Sequence, residues 1–157
     1  MEKCQQLCFF TKNNSIATPV DFYNELDKHW KFDFDPCPLE RPEWDGLVRE
    51  WGERNWVNPP FSQLEQWIRK GIHELKKGRT SVFLIPNRSN SNYWHELVFP
   101  NATGIHWLKK IVFQGYKKGL PVPLVLVEFE PGKKPMFQKG EMRDSWDVSP
   151  SKFSDNK

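Results

Sequence analysis

The sequence of 157 residues is poor in several things. It has three cysteines, an odd number and too few for a secreted scaffold held by disulfides. It has no apolar stretch near the roughly 20 residues of a membrane-spanning helix; the longest, around Val122–Phe129, is strand-sized. The apolar patch at its N-terminus, Leu7–Phe10, is too short for a signal peptide. No internal repeat is visible. The expectation is a reduced, intracellular, cytoplasmic protein with no membrane partner. What is there fits one domain: 38% hydrophobic and 27% charged residues, with a mean hydropathy of −0.72. Net charge is only +3, but it is unevenly placed. Residues 20–65 carry eleven acids and five bases, and residues 69–119 carry ten bases and two acids. The basic half suits phosphates, although solvated helix faces would give the same pattern. Aromatics reach 15%, with eight tryptophans, which suits either a core or stacking platforms for bases.

Residues 1–16 lack periodicity and read as an N-terminal tail. Thr18 is placed as an N-cap with Pro19 at the first helical position, and Phe22, Leu26 and Trp30 then share one helical face. Phe32–Asp35 alternates as a short strand and stops at Pro36 and Pro38. Asn55–Asn58 reads as a second short strand, ended by Pro59-Pro60. Ser62 and Glu65 form a capping box; Leu64, Trp67, Ile68, Ile72 and Leu75 trace a helix closed by Lys76, Lys77 and Gly78. Trp67 belongs to the core by its spacing. Ser81–Ile85 reads as a buried strand and Ser91–Val98 as a short helix. Ile105–Phe113 and Val122–Glu130 are β-rich, with a hairpin-like connection at Gly115–Gly119. Residues 132–157 form a polar, Lys-rich C-terminal tail. Strands alternating with helices predict an α/β three-layer sandwich, its sheet mostly parallel with a β-rich C-terminal edge. In such sheets the ligand crevice lies at the carboxyl ends of strands.

Two strand ends carry distinctive residues: Asp35-Pro36-Cys37-Pro38 and Asn58-Pro59-Pro60-Phe61. The second could be a plain strand-to-helix turn. Its prolines also fix φ and remove two backbone donors, leaving carbonyls as acceptors. The Asn58 side-chain oxygen and the Pro59 carbonyl could then receive both hydrogens of one amino group, with the Phe61 ring beside them. A planar ring bearing an amino group satisfies all three. Asp33 and Asp35 share a strand face, and Cys4 and Cys8 lie at helix-like spacing, but no paired ligand cluster forms, so no metal is expected.

Asn58-Pro59-Pro60-Phe61 resembles the catalytic motif of amino-group DNA methyltransferases, which also occurs in enzymes that methylate RNA bases or glutamine. The wider series is more specific: Thr18-Pro19 before a helix, Phe34-Asp35-Pro36-Cys37, Asp45-Gly46-Leu47, Trp67 with Lys70, and Leu84-Ile85-Pro86-Asn87-Arg88 leading to Tyr93-Trp94-His95-Glu96. In that order, across roughly residues 16–130, the chain resembles the phage-type DNA N6-adenine methyltransferase (Dam) family. The resemblance implies a compact Rossmann-like methyltransferase fold over residues 17–131, S-adenosylmethionine as cofactor, and methyl transfer to adenine N6 in single- or double-stranded DNA, inside a host cell if the source is viral. It implies that Asn58, Pro59, Pro60 and Phe61 form the catalytic corner. Thr18, Pro19, Asp35, Pro36 and Cys37, with Asp45 toward the adenosine, are the cofactor side. Candidate nucleic-acid contacts are Arg69, Lys70, Arg88, Tyr93, Trp94, Lys109, Lys110, Lys117 and Lys118. Methylation of RNA adenine or cytosine N4, or a nucleic-acid-binding module of this fold without catalysis, are the alternatives. No separate recognition domain is evident, so a homodimer that shares DNA contacts is a further expectation.

Overall fold

The computed structural model describes residues 17–111 and 122–137. Four strands, β1 (Arg54–Val57), β2 (Thr80–Pro86), β3 (Gly104–Trp107) and β4 (Leu124–Phe129), form one sheet in the order β1-β2-β4-β3. The two inner strands are apolar on both faces, as burial on both sides demands. β2 sends Val82 and Leu84 into one core and Phe83 and Ile85 into the other. β4 divides Leu124 and Leu126 from Val125, Val127 and Phe129 in the same way.

Helix α1 (Val20–Trp30) covers the first face through Phe22, Tyr23, Leu26 and Trp30. Helix α2 (Leu64–Lys76) covers the second through Leu64, Trp67, Ile68 and Ile72. Trp67 is 5% exposed, as its spacing predicts. A π-helical turn, Trp94–Val98, runs into a single α-turn, α3 (Phe99–Asn101), and packs beside α2. Gly78, at φ 86°, turns the chain out of α2 in the left-handed region that glycine adopts without strain.

The expectation of a mostly parallel sheet is corrected. β1 and β2 are parallel, but β4 runs antiparallel to both β2 and β3. A parallel neighbour needs a crossover, and α2 supplies one between β1 and β2. The next described strand, β4, is inserted between β3 and β2. The expected strand at Phe32–Asp35 shrinks to one parallel bridge, Phe34 with Asn55, because the prolines at 36 and 38 supply no donors to extend it.

Two caps also differ from expectation. α1 begins at Val20 with Pro19 as its cap residue, and no side chain caps it. The Pro19 carbonyl accepts the Tyr23 N–H at 3.0 Å, and Thr18 is engaged elsewhere. Ser62 lies inside a 3₁₀ turn, Phe61–Gln63, so α2 starts at Leu64 without a side-chain cap. The chain beyond β4 stays on the core at first: Met136 N–H donates to the Ala102 carbonyl at 2.8 Å, and the Phe137 ring meets Phe99 edge-on. Residues 1–16, the Gly115–Gly119 connection with Lys117 and Lys118, and the tail beyond residue 137 lie outside the described residues. No described helix is long and apolar enough to cross a membrane.

Glu74 is wholly buried on α2 and gathers Lys70 at 2.8 Å, Lys77 at 3.7 Å and Arg79. Burial alone would raise its pKa, but hydrogen bonds from Lys70 and Arg79 outweigh that and hold the carboxyl below its usual range. Glu74→Ala leaves these cations facing an apolar hole and is expected to cost about 3 kcal/mol in urea denaturation. Because the folded pKa is the lower one, the contribution is present at neutral pH. It fades as pH falls below the unfolded value of 4.5, so wild type and variant converge in acid.

Candidate active site

Three separate segments meet at the carboxyl end of β1. The first is the backbone around Phe34. Asp33 and Phe34 N–H groups donate to the Arg54 carbonyl at 2.9 and 3.3 Å, and Trp56 N–H donates to the Phe34 carbonyl at 3.0 Å. This pairing sets Asp35, one residue past Phe34, beside the end of β1, where Asn58 follows Val57. The second is β1 itself, held by the buried side chain of Asn55, which donates to the Gly52 and Thr80 carbonyls at 3.0 and 2.8 Å. The third is the entry to α1. Here Asn58 Nδ2 donates to Thr18 Oγ1 at 3.1 Å, bridging residues far apart in sequence.

Between them lies a cleft of about 240 Å³. Its walls are Ala17, Thr18, Val20, Tyr23, Asp35, Cys37, Leu39, Trp56 and Asn58. The chemistry is lopsided: one carboxylate, a hydroxyl and a carboxamide stand against apolar and aromatic surface. The Asp35 carboxylate accepts the Cys37 N–H at 2.9 Å. Burial pushes the Asp35 pKa up to about 6, the Cys37 hydrogen bond opposing it in part. Burial, with Asp35 and then Asp45 nearby, pushes the Cys37 thiol up to about 12, so it is a neutral wall rather than a nucleophile. The Tyr23 hydroxyl is raised as well, by burial first and then by Asp27 and Asp35.

Thr18, Asp35, Cys37 and Asn58, grouped earlier only by the family resemblance, line one cleft. Pro19 and Pro36 adjoin them in the chain, and Pro59 and Pro60 are buried behind Asn58. The Pro60 carbonyl accepts the Gln63 N–H at 3.0 Å, which fixes the corner to the start of the 3₁₀ turn. Phe61 is half-buried and touches both cores rather than the cleft wall. Asp45 is exposed and holds its own turn, accepting the Leu47 N–H at 2.9 Å. It lies near the site without lining it. That turn passes so close to the Pro36 carbonyl that a Cβ on Gly46 would sit 1.9 Å from the oxygen. Glycine there lets the 36–50 loop fold back behind Asp35.

The nucleic-acid candidates scatter. Lys70 turns to Glu74, and Arg69 pairs with Glu65 at 2.8 Å on the α2 surface. Trp94 is corrected: it is wholly buried against Phe99 and has no face for a base. Tyr93 is half-buried. Arg88, Lys109 and Lys110 are exposed beyond the ends of β2 and β3. Five wall residues escaped the sequence reading, Ala17, Val20, Leu39, Tyr23 and Trp56, and the rings of the last two meet edge-on at 5.9 Å. Both rings also pack in the core between α1 and β1, and neither was singled out in the sequence. Their nearness in sequence to Thr18 and Asn58 was the signal. Among the described residues no three of His, Cys, Asp and Glu converge as a metal cluster would.

The class is an α/β domain with helices on both sheet faces and a cleft at the carboxyl end of a parallel strand pair. More particularly, the chain belongs to the DNA N-6-adenine-methyltransferase (Dam) family, whose profile matches residues 11–124. It is 29% identical over 134 residues to a DNA N-6-adenine-methyltransferase of Haemophilus phage HP1, covering 73% of this chain and 78% of that protein. It is 27% identical over 105 residues to a protein of the same name from Escherichia phage T1, covering 59% of this chain and 44% of that one. No solved structure matches significantly.

The raised carboxyl is directly measurable. In carbon-detected NMR the Asp35 side chain should titrate near pH 6. Its folded pKa lies above the unfolded value, so ionising it weakens the fold as pH rises from about 3.8 to about 6. Asp35→Asn keeps an acceptor for the Cys37 N–H and is expected to melt at or above the wild-type temperature at pH 7.5. The advantage should vanish near pH 3.5.

Proposed function

We propose that this chain transfers a methyl group from S-adenosylmethionine to the exocyclic N6 amine of adenine in DNA, on a Rossmann-like methyltransferase unit spanning residues 17–131. Family membership and the names of both phage relatives support the reaction. The observation that carries the residue assignment is the single cleft joining Asn58 to Asp35.

The donor set fits the cofactor's chemistry. A half-buried carboxylate held near pKa 6 suits a cation, which would restore the stabilisation that burial removed. Tyr23 and Trp56 present ring surface to the same space, which suits a cation and a methyl-bearing sulfur alike. At about 240 Å³ the cleft matches the amino-acid end rather than the whole molecule. Thr18, Asp35 and Cys37, flanked by Pro19 and Pro36, would hold that end. Asp45, in the adjoining turn, is the adenosine-side candidate. When bound, S-adenosylmethionine supplies the electrophilic methyl on its sulfonium.

The chain's own part is alignment. The adenine amine is a weak nucleophile because its lone pair is delocalised into the ring. Thr18 takes up the Asn58 amide nitrogen, which orients the carboxamide oxygen as an acceptor for one amine hydrogen. The Pro59 carbonyl accepts the other. With both hydrogens held, the nitrogen becomes pyramidal and its lone pair points along the transfer line. Phe61, half-buried against both cores and next in the chain to the corner, is assigned to the adenine ring outside the cleft wall, and the apolar walls keep water out. Stacking supplies about 1–3 kcal/mol and each hydrogen bond about 0.5–1.5 kcal/mol, against the few kcal/mol needed to extrude a paired base. The pocket roughly offsets extrusion, so net affinity comes from phosphate contacts, for which exposed Arg69, Arg88, Lys109 and Lys110 are the described candidates. Lys117 and Lys118, and a homodimer sharing the DNA, complete the proposal.

Tritiated methyl incorporation into adenine and cytosine of DNA and RNA tests the reading. Label in DNA adenine is expected; label confined to RNA or cytosine, or none, overturns it. Asn58→Ala is expected to lower turnover by a thousandfold or more, on the scale of about 4 kcal/mol for a lost aligning contact, while calorimetric binding of S-adenosylmethionine survives. Equal loss of both removes Asn58 from the assigned role. Cofactor affinity should rise between pH 5 and 7 as Asp35 ionises, and Asp35→Asn should flatten that dependence.

A further inference from the structure

Among the described residues Trp107 is the aromatic left most open: it ends β3 with 65% of its surface exposed. Its position follows from the register. β3 and β2 are each antiparallel to β4, so they point the same way, and β1 is parallel to β2. Trp107 therefore lies at the carboxyl edge of the sheet, the edge at which Asn58 follows β1. Trp107 pairs with Val125, which pairs with Ile85, two residues past the Phe83–Val57 pair. Three strand spacings of about 4.8 Å separate the two ends, which puts the backbones of residues 58 and 107 about 15 Å apart. Residues paired across a ladder share a face, so Trp107 stands on the Val125 side while the cleft opens on the α1 side. A strand leaving the cleft must cross the carboxyl edge to reach it. The exposed Lys109 and Lys110 follow directly in the chain, and exposed Arg88 follows β2 at the same edge.

We propose that Trp107 is a DNA-contacting residue whose ring stacks on a base flanking the target adenine, with Lys109 and Lys110 taking the adjoining phosphates. This rests on the reading of the chain as a DNA methyltransferase. An indole with one open face and cations within three residues is the composition that binds nucleic acid by stacking plus charge. At about 3.4 Å per base step along one strand, about 15 Å places that base about four steps from the extruded adenine.

The probe is a 30-base-pair duplex that the wild-type chain methylates. Trp107→Ala is expected to weaken its binding by about tenfold or more, and Trp107→Phe to retain most of it. The salt dependence of Trp107→Ala should match wild type, because no phosphate contact is lost. Lys109→Ala with Lys110→Ala should instead reduce the logarithmic salt slope by about two. Binding of S-adenosylmethionine and the melting temperature should be unchanged in Trp107→Ala. Abasic nucleotides placed singly on each side of the target give a second, independent measurement. Wild type should lose affinity at a position about four nucleotides away, and Trp107→Ala should be indifferent there. Wild-type DNA affinity in Trp107→Ala, or a flat abasic scan, overturns the inference while leaving the methyltransferase reading intact. So does a wild-type dimer that dissociates in Trp107→Ala, since the ring then belongs to a contact between copies. Failure of the wild-type chain to methylate any DNA overturns both.

Discussion

A single parallel bridge between Phe34 and Asn55 carries the geometry of this protein. Without it, Asp35 is a carboxylate in a proline-rich loop and Asn58 is the end of a four-residue strand. With it, the two follow neighbouring backbones running the same way, and both emerge at one edge. The bridge is reinforced from behind. Asn55 ties β1 to the Gly52 and Thr80 carbonyls, and Arg49 lies against the Trp44 and Phe34 rings, 4.9 and 5.5 Å from their centroids. Those contacts close the 36–50 loop onto the strand end. They explain how so short a β segment holds its place.

The two cores divide the labour. The α2 side is large, continuous and rich in aromatic packing: Trp51 lies over Trp67, and Phe83 meets Phe129 edge-on. The α1 side is smaller, and Tyr23 and Trp56 serve both as packing and as cleft wall. The larger packed core thus lies behind the site, and the smaller one supplies part of its wall. The carboxylates least exposed among the described residues, Glu74 and Glu128, lie toward the opposite end of the sheet, and only half-buried Asp35 stands in the cleft.

Much of this was legible in the sequence, and the parts that were not share a physical cause. α2 was readable because five apolar residues keep helical spacing between a proline pair and a glycine turn. β2 was readable because an unbroken apolar run bounded by Gly78 and Pro86 suits burial on both faces. A hairpin-like reading already made β4 antiparallel to β3, but its place beside β2 was not readable, since strand residues look alike whichever neighbour they take. Thr18 was read as a helix cap because its local sequence says so, whereas its partner lies across the fold. Trp94 could not be sorted from Trp107: one indole is swallowed by the α2 core and the other left in water, a difference made by sheet order and not by neighbours in the chain.

The bond from Asn58 to Thr18 has a consequence for how such a site can change over generations. The residue assigned to gripping the acceptor leans on one assigned to seating the donor, so neither can be replaced without disturbing the other. A drift at position 18 toward a side chain lacking an oxygen would remove this tie to the carboxamide and disturb acceptor geometry as well as donor seating. Related chains should therefore vary these two positions in step or not at all, and a lineage that abandons catalysis should be free to lose both together.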